Sequence, residues 1–179
     1  RFAILLGCIL FCTAGVASAE DSGFEGGDGS RENPYQIATK EQLWRALENK
    51  QRDDSYILLN DLFFTEEEFQ EGGAFYNGGR FWDGIGGFNY YQGDFNGNGH
   101  TIKGLKMKEE YGFINDLDSK ASVRNLYLED VYKMKASGGV ITYYNRGTIQ
   151  NCYVSGVIDG TQRGGNLGAI AGVNKESGR

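Results

Sequence analysis

Three stretches of this chain superimpose without a gap: Thr101-Ile102-Lys103-Gly104-Leu105-Lys106-Met107, Ser122-Val123-Arg124-Asn125-Leu126-Tyr127-Leu128 and Thr148-Ile149-Gln150-Asn151-Cys152-Tyr153-Val154. Apolar residues recur at Ile102, Val123 and Ile149, at Leu105, Leu126 and Cys152, and at Met107, Leu128 and Val154. Such self-similarity, with no helix-length apolar stripe inside any unit, is the strongest constraint on the fold. One unit cannot cover its own apolar face, whereas stacked units pair strand to strand and bury a common column. Gly104, Asn125 and Asn151 precede the middle apolar position, and Gly and Asn take positive φ most readily, so each unit is expected to bend at that place.

A second half-unit repeats as Gly112-Phe113-Ile114, Gly139-Val140-Ile141 and Gly168-Ala169-Ile170, the last two running on to Asn145 and Asn174. Each unit therefore reads as two or three short strands with bends between them. The leucine-rich repeat shares an L-x-x-L-x-L core. It places Asn three residues after the last Leu, where this chain has Glu110, Val131 and Val157, and its convex half is often helical. The expected fold is all-β, a parallel β-helix with one short N-terminal capping helix. Composition agrees: the 179 residues include 28 Gly, 11 Phe and 11 Tyr but a single Pro, which excludes collagen and suits strands paired on both edges.

At the N-terminus, Arg1 is followed by an apolar run from Phe2 to Phe11 and by Ala17-Ser18-Ala19. A basic start, a short apolar core and an A-x-A site describe a signal peptide, cut after Ala19. The run is too short to span a bilayer, and Leu6 before Cys8 fits a lipoprotein signal poorly. Cleavage removes Cys8 and Cys12 and leaves Cys152 alone, so no internal disulfide is expected in an exported product. Cys152 occupies a Leu position of the repeat and reads as a small buried hydrophobe.

Residues 20–33 are Gly-rich and acidic and read as a flexible leader. Residues 34–99 hold the N-terminal cap, the first strand and an aromatic insertion. There Pro34-Tyr35-Gln36-Ile37 is an extended piece, and Thr39-Lys40-Glu41-Gln42 is a capping box opening a helix that turns Leu43, Ala46 and Leu47 to one face. Tyr56-Ile57-Leu58-Leu59 reads as a strand. Residues 100–179 are expected to form the repeated rungs, and with Arg1 in place of Met and Arg179 inside a Gly-rich pattern the chain reads as a fragment truncated at both ends.

The pattern Gly93-Asp94-Phe95-Asn96-Gly97-Asn98-Gly99-His100-Thr101-Ile102-Lys103-Gly104-Leu105, with Tyr56 to Leu62, Ile85-Gly86 and Gly147 to Cys152, resembles the GLUG-repeat proteins of bacterial surfaces. Gly168-Ala169-Ile170-Ala171-Gly172-Val173-Asn174 looks like one of that family's rungs, with Ala and Ile in place of Leu and Val. The resemblance covers residues 34–179. It implies a right-handed, pectin-lyase-like parallel β-helix, secreted or displayed on a bacterial surface, a module that some relatives join to an IgA-specific metallopeptidase or to adhesin-like arrays. It supplies no catalytic residues, and the insertion at 61–93 departs from it.

The candidate sites are few. Asp94, Asn96 and Asn98 begin like a calcium loop, but the twelfth position, which needs a bidentate Glu, is Leu105, so the segment reads as tight turns and no metal is expected. His100 is the only histidine, which excludes an H-E-x-x-H site within the chain, and no G-x-S-x-G accompanies it. The acids of the rungs, Asp116, Asp118, Glu129, Asp130 and Asp159, fall out of register. Trp82, Tyr90 and Tyr91 in the insertion either stack on sugar rings or cover the end of the coil.

No cofactor is expected. With 18 basic against 24 acidic residues and no basic cluster, nucleic acid is excluded as a partner. An extracellular glycan or a host or cell-surface protein remains. The function expected is a non-catalytic secreted or surface module that spaces or presents binding elements in an adhesin-like protein. The alternative is the accessory part of a larger metallopeptidase or carbohydrate-active enzyme whose catalytic part lies beyond residue 179.

Overall fold

A computed structural model describes residues 22–49, 51–79, 81–108, 111–134, 137–159 and 165–179. The expected signal peptide, residues 1–19, lies outside these. The described chain is all-β with one α-helix and two short 3-10 turns, and it makes five passes around a common core.

The first pass holds β1 (Tyr35–Ile37) and α1 (Lys40–Asn49). The second holds β2 (Tyr56–Leu58), β3 (Leu62–Phe63) and β4 (Ile85–Tyr91). The third holds β5 (Asp94–Asn96), β6 (Thr101–Lys103), β7 (Lys106–Lys108) and β8 (Ile114–Leu117). The fourth holds β9 (Ser122–Arg124), β10 (Tyr127–Met134), β11 (Gly138–Gly139) and β12 (Thr142–Asn145). The fifth holds β13 (Thr148–Gln150), β14 (Tyr153–Ile158), β15 (Leu167–Gly168) and β16 (Ala171–Asn174).

Each strand pairs with its counterpart in the neighbouring passes, always parallel. The sheets run β1-β2-β5-β9-β13, then β3-β6-β10-β14 with β7 also on β10, then β4-β8-β12-β16, and a β11-β15 pair. Side chains alternate in and out along a strand. In β10 the register shifts between Leu128 and Val131, where Asp130 takes positive φ, so both of these turn to the core while Tyr127 and Tyr132 face out.

The register corrects one part of the sequence reading. Ile102 pairs with Leu128 and Leu62, not with Val123. The partner of Val123 is Phe95, which in turn faces Tyr56. The stretch 101–107 is thus not the counterpart of 122–128; that role falls to 94–102. Spacing misled because i, i+3, i+5 apolar triplets occur at two successive corners of the coil, and the Gly97-Asn98-Gly99-His100 turn is longer than the Asn125-Leu126 turn that answers it. All the same, Ile102, Leu105, Met107, Val123, Leu126 and Leu128 are fully buried. Ile149, Cys152 and Val154 are only partly so, because theirs is the last pass.

The capping box forms as read. The Gln42 N–H donates to Thr39 Oγ1 at 3.3 Å, and Gln42 Oε1 accepts from the Thr39 and Ala38 N–H groups. Leu43, Ala46 and Leu47 are buried, and Trp44 meets Phe75 and Trp82. Phe64, Phe69 and Phe75 of the insertion close over the same end.

Residues 22–33 differ from the expectation of an unpacked leader. Phe24 stacks on Tyr35 at 4.5 Å, the Glu25 N–H donates to the Gln36 carbonyl, and the Ser55 N–H donates to that of Gly29. Composition hid this because backbone groups and one aromatic ring, not a run of apolar side chains, hold the segment down. Phe24, Tyr35, Tyr56 and Phe95 form a continuous ring ladder up the coil.

Candidate functional site

The segment that began like a calcium loop spends its oxygens inside the protein. Asp94 pairs with Arg31 at 2.6 Å and accepts from the Ser122 hydroxyl at 2.8 Å. Asn96 Oδ1 accepts from the Asn98 N–H and from Asn125 Nδ2, and Asn98 Nδ2 donates to the Leu58 carbonyl. Leu105, at the twelfth position, is fully buried. Among the described residues no group of three His, Cys, Asp or Glu stands close enough to hold a metal.

His100 Nδ1 lies 3.1 Å from Asp61 Oδ1, and the same carboxyl accepts the Thr101 N–H at 2.9 Å. The Thr101 N–H first and His100 second hold the Asp61 carboxyl below the usual carboxylate range. The pair ties the corner between β2 and β3 to the start of β6. Glu129 sits opposite Lys103, and Asp130 pairs with it at 3.0 Å, so these acids meet a cation rather than a second carboxylate.

Trp82 and Tyr91 are fully buried, which removes them as ligand-stacking residues. The Trp82 indole N–H donates to the Phe113 carbonyl at 3.0 Å, and its ring stacks on that of Phe113. The Tyr91 hydroxyl donates to the Asp54 carbonyl, and burial pushes its pKa well up. Tyr90 is half-buried with the Arg146 guanidinium 4.3 Å from its ring centre. Phe64, Phe69, Phe75, Trp82 and Tyr91 of the insertion pack inward. Cys152 is half-buried, and burial raises its thiol pKa.

The exposed aromatics lie elsewhere, on the outer face of the β3-β6-β10-β14 sheet. Phe63, Tyr127, Tyr132, Tyr153 and Val157 are all exposed there, and Tyr127 stands directly beside Tyr153 in the parallel register. The alternation in Leu126-Tyr127-Leu128 and Cys152-Tyr153-Val154 carried this signal, since the residue between two inward ones must face out. Asn98, Asn125 and Asn151 border the two tyrosines at the preceding corner, all three with positive φ. Asn151 Nδ2 donates to Asn125 Oδ1 at 3.3 Å, and Asn125 Nδ2 to Asn96 Oδ1 at 3.2 Å, an amide ladder along the coil. Together they line an open groove of about 530 Å³. A second groove, between Phe63, Lys103, Lys106, Asp130 and Tyr132, is crossed by the ion pairs Lys103–Asp130 and Lys106–Glu66.

No family model matches the chain. It is similar to halomucin of Haloquadratum walsbyi, 26% identical over 80% of this chain and 2% of the relative. It is also similar to a protein of Evansella cellulosilytica provisionally named a Gly-rich membrane protein, 30% identical over 82% of this chain and 18% of the relative. Among solved structures, a candidate immunoglobulin A1 protease from Bacteroides ovatus superimposes with a TM-score of 0.57 at 25% identity, over 74% of this chain and 40% of that one. The chain thus spans a small part of each protein it resembles. No helix among the described residues is long and apolar enough to cross a membrane.

Proposed function

We infer that the chain is a non-catalytic module of a longer secreted or surface protein, built as a right-handed parallel β-helix that spaces and presents binding elements. The observation that carries this is the pairing pattern. The sheet pairings are parallel and join neighbouring passes, and after β16 the chain returns to β13, where the Arg179 carbonyl accepts the Ile149 N–H and the Arg179 N–H donates to the Gly147 carbonyl. A parallel strand–crossover–strand connection is right-handed in nearly all known cases, which supports that hand here. Such a coil grows by adding passes, and the far greater length of the relatives agrees with a piece of an extended array. Export rests on the Phe2 to Ala19 segment.

The likeness to the Bacteroides protein favours a second reading, an accessory coil beside a peptidase elsewhere in the same protein. Expression with its leader and a C-terminal tag in a bacterial host tests the first reading. The exported product should begin at Glu20, be open to added protease on intact cells, and leave immunoglobulin A1 and polysaccharides uncleaved. Retention of residues 1–19 in the cytoplasm would overturn export; cleavage of either substrate would overturn the non-catalytic assignment.

A further inference from the structure

The geometry points to a binding site for neutral saccharide in the groove formed by Asn98, Asn125, Asn151, Tyr127 and Tyr153. This deepens the reading of a presenting module and rests on it. The groove bears no charged residue: Asn98, Gly99, Asn125, Tyr127, Asn151, Cys152 and Tyr153 line it. In a chain of net charge −6, that absence selects against an anionic ligand, which would find repulsion at long range and no cation on contact.

What the groove does offer matches a sugar ring. Tyr127 and Tyr153 are 38% and 52% exposed and stand on adjacent strands, about 4.8 Å apart. Their phenol faces suit the apolar C–H face of a pyranose, and their hydroxyls reach its rim. The carboxamides beside them each carry two N–H donors and two oxygen lone pairs, of which the ladder uses only part. A carboxamide that can donate and accept at once is suited to vicinal hydroxyls. The left-handed turns at Asn98, Asn125 and Asn151, with φ of 55°, 51° and 52°, fix where these amides sit, so little side-chain freedom is lost on binding. A protein partner would call for a larger apolar centre than two phenols among amides. The other groove on this sheet differs in kind, since its four charged residues already pair with one another.

The test is affinity electrophoresis of the purified chain in gels cast with mannan, xylan or hydroxyethylcellulose, and with polygalacturonate as the anionic comparison. At least one neutral polymer should retard the chain and polygalacturonate should not. Tyr127→Ala and Tyr153→Ala should each weaken retardation roughly tenfold, while Tyr132→Ala, outside the groove, leaves it near the unsubstituted level, all with unchanged melting temperatures. Asn151→Asp, which places a charge in the groove without altering the core, should also weaken it. Failure of all three neutral polymers to retard the chain, retardation by polygalacturonate alone, or retardation that survives both tyrosine truncations would overturn the site. Release of reducing ends during the run would leave the site standing and instead sink the non-catalytic reading, so the two fail separately.

Discussion

A Cβ on Gly139 would lie 2.4 Å from the Ile170 carbonyl oxygen and 2.5 Å from Ala171 Cα, both backbone atoms of the next pass. Ala171 pairs with Thr142 and the Ile170 carbonyl accepts the Ile141 and Thr142 N–H groups, so neither can yield without parting β12 from β16, and Gly139→Ala should cost about 2–3 kcal/mol, read as a lowered urea midpoint with an unchanged slope. A midpoint within error of the unsubstituted chain would mean the passes are looser than drawn. Asp61 gives a pH-dependent counterpart. Its carboxyl is charged and doubly engaged in the folded chain, so its folded pKa lies below the ordinary value of 3.8. A depressed acid stabilises fully above its unfolded pKa and loses that contribution as pH falls through the folded one. Asp61→Ala should therefore be slightly less stable than the parent near neutrality, the half-exposed site screening the loss, and the gap in melting temperature should close as the pH drops below about 4. A gap that holds constant into acid would assign the effect to packing.

The corners of the coil separate what was legible in the sequence from what was not. Asn125 and Asn151 announced positive φ, and both adopt it, but Asn98, read as a tight turn and not as part of the repeat, is the third member of that column. Gly104, grouped with them by spacing, instead turns the next corner, where its N–H donates to the Glu129 carbonyl and Asp130 takes positive φ in the pass above. Apolar periodicity says which residues go inward; it cannot say which corner a short strand belongs to when turn lengths differ by two residues, because that is set by pairing across passes. The outward tyrosines were legible from alternation, but the buried fate of Trp82 was not. An aromatic in an irregular segment has no period from which to read its side. Two substitutions test the corner. Asn125→Gly keeps the left-handed backbone and loses two amide bonds, about 1 kcal/mol; Asn125→Leu adds left-handed strain, roughly 1–2 kcal/mol more. Equal urea midpoints for the pair would show that the amide ladder, and not φ, matters there. At the cap, Trp82→Ala should cost about 3–5 kcal/mol, since it empties a fully buried site and leaves the Phe113 carbonyl with the Ile85 N–H alone.

Across the whole molecule, stability should be graded along the coil. The third and fourth passes have neighbours on both sides, and their inward residues, Phe95, Ile102, Val123 and Leu128 among them, are fully buried. The first passes are closed by α1, the insertion and the ring ladder that Phe24 begins. At the other end Ile149, Cys152 and Val154 keep part of their surface in water, while Val157, Leu167 and Ile170 are exposed. In a stack held by nearest-neighbour contacts, a pass with one neighbour opens at lower cost than one with two. Amide hydrogen exchange should accordingly be slowest at β5, β9 and the start of β10, and faster in β14, whose N–H groups bond to a single neighbouring strand and whose apolar face is half covered. Val123→Ala and Ile149→Ala remove the same column one pass apart, so the inner substitution should lower the melting temperature more than the outer one. Equal protection at β9 and β13, together with equal losses for the two substitutions, would mean that the five passes unfold as one unit and that the coil has no weak end.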